Sequence, residues 1–132
     1  MLIPNIHFMG NCNEAIDFYK KALGAEVKRI EYAKNAPQDA GLTALPPDFV
    51  MYSEVAVFGT LLNLSDGANE PVVKNDNFTF AIVLKTNEEV TSVFNGLAEG
   101  GEVVQELAPQ FWSALYGMVT DRFGVTWQVY LP

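Results

Sequence analysis

Apolar positions recur along this chain in two rhythms, and each rhythm occurs twice. Ala15, Ile16, Tyr19, Ala22 and Leu23 return at spacings of three and four, the period of one helical face. Val90, Val93, Phe94 and Leu97 repeat that stripe further on. Each stripe has a start and a stop. Asn11 with Glu14, and Thr86 with Glu89, have capping-box spacing, while Gly24 and Gly100-Gly101 follow the last apolar residues. Elsewhere apolar and polar residues alternate, as in a strand with one buried face. The alternation predicts strands over 6–8, 26–33, 50–57 and 60–66, then from Phe80 to Leu84 and over 102–107, 115–121 and 125–131.

The second set of elements is a copy of the first. A shift of 76 places aligns Ile6 with Ile82, Phe8 with Leu84, Phe18 with Phe94, Ala22 with Ala98, and Gly24-Ala25-Glu26-Val27 with Gly100-Gly101-Glu102-Val103. A shift of 65 aligns Phe58-Gly59 with Phe123-Gly124, Leu62 with Trp127, Asn63 with Gln128 and Leu64 with Val129. The difference means 11 extra residues in the first copy, expected between Ala33 and Phe49, where Pro37, Gly41, Pro46 and Pro47 mark a loop. The class is therefore α+β, two tandem βαβββ modules over 1–66 and 78–132, with a linker over 67–77 and one domain in all.

Alternation also sorts the side chains by face. Ile6 and Phe8, Leu62 and Leu64, Phe80, Ile82 and Leu84, and Trp127, Val129 and Leu131 share the face expected to pack under the helices. Burying each such side chain contributes roughly 1.5–3 kcal/mol before entropy. The opposite face carries Ile3, Asn5 and His7; Leu61, Asn63 and Ser65; Thr79, Ala81 and Val83; and Thr126, Gln128 and Tyr130. That mixture suits the lining of a partly wet concavity, a half-open mixed-sheet cup. It also suits the solvent face of an antiparallel sheet, and the duplication favours the cup.

Composition narrows the partners. With 49% apolar and 18% charged residues in 132, the chain can bury a core, and its net charge of −8 repels phosphate backbones, so no nucleic-acid partner is expected. No apolar run is long enough to cross a bilayer, and Met1-Leu2-Ile3-Pro4-Asn5 has no basic stretch leading into an apolar one. A single cysteine, Cys12, cannot form an internal disulfide, and the expected location is cytoplasmic.

Phe8-Met9-Gly10-Asn11-Cys12, Glu14 to Tyr19 and Leu23-Gly24-Ala25-Glu26 resemble the opening of PhnB-like proteins. Ser65-Asp66, Gly100-Gly101, Phe111-Trp112, Tyr116-Gly117 and Asp121 to Trp127 extend the likeness along nearly the whole chain. PhnB-like proteins belong to the vicinal oxygen chelate superfamily, with glyoxalases, extradiol dioxygenases and bleomycin-resistance proteins. The resemblance implies paired βαβββ modules and a homodimer, and it carries a label likening such chains to demethylubiquinone methyltransferases. No glycine-rich strand-to-helix turn supports that label, since Gly100-Gly101 ends a helix rather than opening one. The resemblance also sets metal ligands on the first and last strand of each module, at Ile3, Asn63, Thr79 and Gln128 here. An isoleucine, two amides and a hydroxyl are a poor donor set for zinc, nickel or iron, so a metal-free site without cofactor is expected. Tyr52 stands where many PhnB-like sequences have histidine.

The candidate ligand-binding residues are Asn63, Thr79, Gln128, Tyr52, Trp112 and Tyr116. Asn63 and Gln128, related by the repeat, are expected to face one another across the cup and to hydrogen-bond a carbonyl or phosphonate oxygen, or each other. Phe111, Trp112 and Tyr116 form an aromatic cluster in and after a loop, suited to covering a ligand, to packing or to a dimer contact. His7, the only histidine, and Glu54 are the weak candidates for proton transfer. Cys12, at a helix start, is a lesser candidate nucleophile, and Trp127 belongs to the core. Two functions compete. One is capture of a small organic molecule, with a cation favoured by the acidic surface. The other is metal-independent enzyme chemistry through His7 or Glu54.

Overall fold

The computed structural model describes residues 1–42, 44–67 and 77–132. Most of the expected linker over 67–77 lies outside the described residues. The chain divides into two compact units, Met1–Val72 and Val73–Pro132.

The first unit runs β1 (Asn5–His7), α1 (Cys12–Leu23), β2 (Glu26–Tyr32), β3 (Val50–Val57) and β4 (Thr60–Ser65). Its sheet has the order β1-β4-β3-β2, with β1 parallel to β4 and the other pairs antiparallel. The second unit repeats this as β5 (Phe80–Val83), α2 (Asn87–Ala98), β6 (Glu102–Gln110), β7 (Ser113–Thr120) and β8 (Thr126–Tyr130), in the order β5-β8-β7-β6. Parallel and antiparallel pairs recur in the same places. Both units are therefore βαβββ modules with open mixed sheets.

The helix-facing residues are those with the expected parity. Phe8, Leu62 and Leu64 are buried with Ala15, Ile16, Tyr19 and Leu23 of α1. Ile82, Leu84, Trp127 and Val129 are buried with Val90, Phe94 and Leu97 of α2. Gly24 ends α1 in the left-handed region at φ 65°, its N–H bonding Lys20 O, while the Ala25 N–H bonds Tyr19 O. Gly117 answers a packing demand instead. A Cβ there would stand 2.7 Å from the Phe94 ring and 2.8 Å from Leu107, so its absence lets α2 lie close on β7.

Three local expectations change. The helices align by a shift of 75 rather than 76, because α1 begins at Cys12 and α2 at Asn87. Tyr19, not Phe18, thus takes the place of Phe94, and Phe18 is only half-buried. Strand β6 runs on to Gln110 through Pro109, which a strand lying at the sheet edge tolerates, and Phe111–Trp112 is a two-residue turn. Finally, the capping box at Asn11 and Glu14 does not form. Asn11 makes no side-chain cap bond to the helix, whereas Thr86 Oγ1 accepts the Glu89 N–H at 3.1 Å. The extra length of the first module falls between β2 and β3, as expected, with two short 3-10 turns at Ala33–Asn35 and Gln38–Ala40.

The start of α1 is held from another strand. Asp66, which follows β4 and is buried, accepts the Gly10 and Cys12 N–H groups on Oδ1, both at 2.9 Å, and the Val50 N–H on Oδ2 at 3.1 Å. One carboxylate thus joins helix, β3 and β4, through bonds about twice as strong as neutral ones. In the second unit Asp121 accepts the Phe123 and Val125 N–H groups on Oδ1 and the Trp127 indole N–H on Oδ2 at 2.9 Å. We predict that Asp66→Ala destabilises the protein by about 3 kcal/mol or more, since it orphans three N–H groups, two of them in buried bonds. Asp66→Asn, which keeps one acceptor oxygen, should lose less. Urea denaturation measures both, and an alanine variant as stable as the parent would show that Asp66 does not brace the module.

Candidate functional site

On the sheet face opposite the helix, each module carries a tyrosine beside an amide. In the second unit the register places Gln128 between Ala81 and Met118, and Tyr130 between Val83 and Tyr116. Tyr116 Oη donates to Gln128 Oε1 at 2.8 Å, and Gln128 Nε2 donates to Thr79 Oγ1 at 2.7 Å. The Trp112 ring meets Tyr116 edge-on at 5.3 Å and Phe111 at 4.8 Å, and Tyr130 lies 5.6 Å from Tyr116. Thr79, Gln128, Tyr116 and Trp112 thus form one connected group. Burial, then the neighbouring Tyr130, raises the Tyr116 pKa, which keeps its hydroxyl protonated as the donor to Gln128.

The first unit has the same positions with different occupants. Asn63 pairs with Asn5 on one side and Glu54 on the other, and Tyr52 follows on the same face. Here Tyr52 Oη donates to Glu54 Oε1 at 2.8 Å rather than to the amide. That bond is the main cause of its raised pKa. Burial and the Glu54 charge add to it, against the smaller opposing effects of Arg29 and of Asn63. The Arg29 guanidinium lies over the Tyr52 ring at 5.3 Å. Asn63 Oδ1 is buried and accepts no hydrogen bond among the described residues. The sequence explains the difference. Ile3 stands where the second module has Thr79, and Glu54 stands where it has Met118.

His7 is exposed, with Nδ1 3.0 Å from Ser65 Oγ, its cross-strand partner. Among the described residues no carboxylate hydrogen-bonds this pair to extend it into a relay, and Glu54 is engaged by Tyr52 instead. Arg29 and Tyr130 were not singled out by residue type. Both become visible once register is known, because each is the cross-strand neighbour of a candidate. Trp127 is core, 2% exposed. Two cavities of the first unit lie apart from these residues, one of about 270 Å³ in the loop after β2 and one of about 440 Å³ beside α1.

The positions that would hold a metal do not fit one. Ile3 has no donor atom, Thr79 and Gln128 bond one another, and Asn63 offers a neutral amide. Among the described residues no three His, Cys, Asp or Glu side chains are grouped to hold an ion. No helix among the described residues is long and apolar enough to cross a membrane.

Residues 7–129 match the profile of the glyoxalase/bleomycin resistance protein/dioxygenase superfamily. The chain is 29% identical to protein YjdN of Escherichia coli K12, covering 97% of this chain and 92% of that one. Protein PA1353 of Pseudomonas aeruginosa is 32% identical, with coverage of 99% and 96% and a TM-score of 0.84. The PhnB protein of Bacillus cereus, 23% identical with coverage of 99% and 98%, superposes with a TM-score of 0.83, a likeness of fold.

Cys12 departs from the expectation of a dipole-activated thiol. It is fully buried, and burial followed by the Asp66 carboxylate pushes its pKa from 9.0 up to about 12. The folded chain therefore holds the thiol proton at pH values where the unfolded chain releases it. Its contribution to stability is complete below pH 9.0 and is lost as the pH climbs towards about 12. Thiol-reactive dye at pH 8 should label the native protein at least about a hundredfold more slowly than free cysteine. Labelling at the free-cysteine rate would mean that Cys12 is accessible and acidic.

Proposed function

Because the chain belongs to the glyoxalase/bleomycin resistance protein/dioxygenase superfamily, we propose that it captures a small organic molecule on the tyrosine–amide face of its sheets, without a metal. The observation that carries this reading is the connected group of Trp112, Tyr116, Gln128 and Thr79. Trp112 is half exposed and Phe111 is 98% exposed, so an aromatic surface borders a fixed polar relay. Apolar walls with few placed polar groups are what small-ligand sites need. Tyr52 and Asn63 supply the corresponding group in the first module, where the unpartnered Asn63 Oδ1 would gain most from a ligand that donates a hydrogen bond. A net charge of −8 favours a cationic guest.

Residues 1–132 work on this reading as one cytoplasmic domain and as a homodimer, with Phe111 and Trp112 at or beside the contact, since exposed aromatics anchor interfaces. The enzymatic alternative, proton transfer by His7 or Glu54, has less support. The His7 ring pairs with the Ser65 hydroxyl rather than with a carboxylate, and the Glu54 carboxylate already accepts the Tyr52 hydroxyl.

A thermal-shift screen against cationic, neutral aromatic and phosphonate compounds tests the proposal. A binder should raise the melting temperature equally with chelator or with added zinc, nickel or manganese. Trp112→Ala and Gln128→Leu should each weaken it about tenfold, the loss of one good contact. Light scattering should give about twice the 14.6 kDa chain mass. Binding that needs a metal, or that both variants leave unaltered, would contradict the assignment.

A further inference from the structure

The modules differ on their helix side as well, and there the difference leaves a cavity. In the second unit Phe94 and Leu107 both come within 3 Å of the place a Gly117 Cβ would take, so α2 closes over the inner surface of β6 and β7. The corresponding residues of the first unit are Tyr19, Ile30 and Ser53, with Ile30 paired to Ser53 across β2 and β3. They do not close in the same way. Helix α1 packs chiefly on β3 and β4, whereas α2 also packs on β6. Between α1 and β2 is a groove of about 440 Å³, within the range of small-molecule sites.

We propose that this groove is a second binding site, separate from the tyrosine–amide face, for a small organic ammonium ion with an apolar body. Its floor is Ile16, Val27 and Ile30, each at most partly covered except Ile16, which is buried. One wall is set by Tyr32, whose hydroxyl donates to Asn13 Oδ1 at 3.3 Å, while Asn13 Nδ2 donates to Asp48 O at 2.9 Å. Those bonds tie the end of β2 and the loop before β3 to α1 at one end of the groove. Its charged groups are the Asp17 and Asp48 carboxylates against the single ammonium of Lys20. None of the three makes an ion pair among the described residues, so the lining itself carries a net negative charge above an apolar floor, with the Lys34 ammonium outside it over the Tyr32 ring at 5.1 Å. An aryl or alkyl group suits the floor, and an ammonium group suits the rim.

The test uses the full chain with isotope-labelled isoleucine and valine methyls, titrated with 2-phenylethylammonium, 2-phenylethanol and phenylacetate. The ammonium should shift the methyls of Ile16, Val27 and Ile30 saturably, with a Kd of about 1 mM or tighter. The alcohol should bind several-fold more weakly and the carboxylate at least about tenfold more weakly. Asp17→Asn with Asp48→Asn should weaken the ammonium about fivefold, the scale of two exposed charge contacts. Ile30→Trp, which fills the groove, should abolish binding, and Gln128→Leu should leave it unchanged. The proposal falls if no saturable shift appears by about 10 mM. It falls equally if phenylacetate binds as well as the ammonium, or if Gln128→Leu rather than Ile30→Trp removes the shifts. The Gln128 and Ile30 variants thus separate its failure from that of the tyrosine–amide site.

Discussion

The buried carboxylate of Asp66 is the contact on which the first module depends. A helix start leaves N–H groups without partners, and the chain leaving β1 provides none through Asn11. Asp66 reaches both Gly10 and Cys12 from the end of β4, the parallel neighbour of β1, and holds Val50 at the start of β3 with its other oxygen. A buried anion is tolerated only where hydrogen bonds replace its water, and these three do so. Asp121 meets a different need with the same chemistry, closing the turn between β7 and β8 and fixing the indole of Trp127 beneath α2. Both aspartates follow strands, so both modules are braced from the backbone without using the opposite sheet face.

That freedom shows in how the two copies have diverged. Tyr52 and Tyr116 occupy matching places, as do Asn63 and Gln128. In the second module threonine and tyrosine satisfy the amide, and the result is a closed relay. In the first, Ile3 replaces the threonine and Glu54 takes the tyrosine's hydrogen bond, so among the described residues the amide oxygen has no donor. The changes touch neither core nor braces. Duplication has thus kept the frame while giving the polar faces different hydrogen-bonding demands, which is the basis for treating them as binding surfaces.

Periodic features of the fold were legible in the residues, and long-range ones were not. Alternation and the three-four spacing depend only on neighbours along the chain, so the strands, the helices and the place of the extra residues before Phe49 could be read directly. Asp66 caps a helix 54 residues before it, and no local pattern signals that bond. Asn11 had the residue type of a cap but not the conformation. The helix register slipped by one because the turn before α2 is one residue shorter than the turn before α1, and identities at Phe18 and Phe94 concealed it. Strand parity placed Asn63, Gln128, Tyr52 and Tyr116 on matching faces, but which of them bond depended on occupants two positions away in space. The character of Cys12 is illegible for the same reason, since its burial comes from packing rather than from its place at a helix start.

The central claim is that the carboxylates hold the modules rigid, so that the sheet faces are preformed. Native-state hydrogen exchange tests it most directly. The amides of Gly10, Cys12, Val50, Phe123 and Val125 lie in loops or at element ends, where exchange is ordinarily fast. The account predicts that they exchange only with global unfolding, at free energies matching those of core amides such as Val55 and Val119. Exchange at the rate of exposed turns, through local opening that leaves the strands protected, would contradict it.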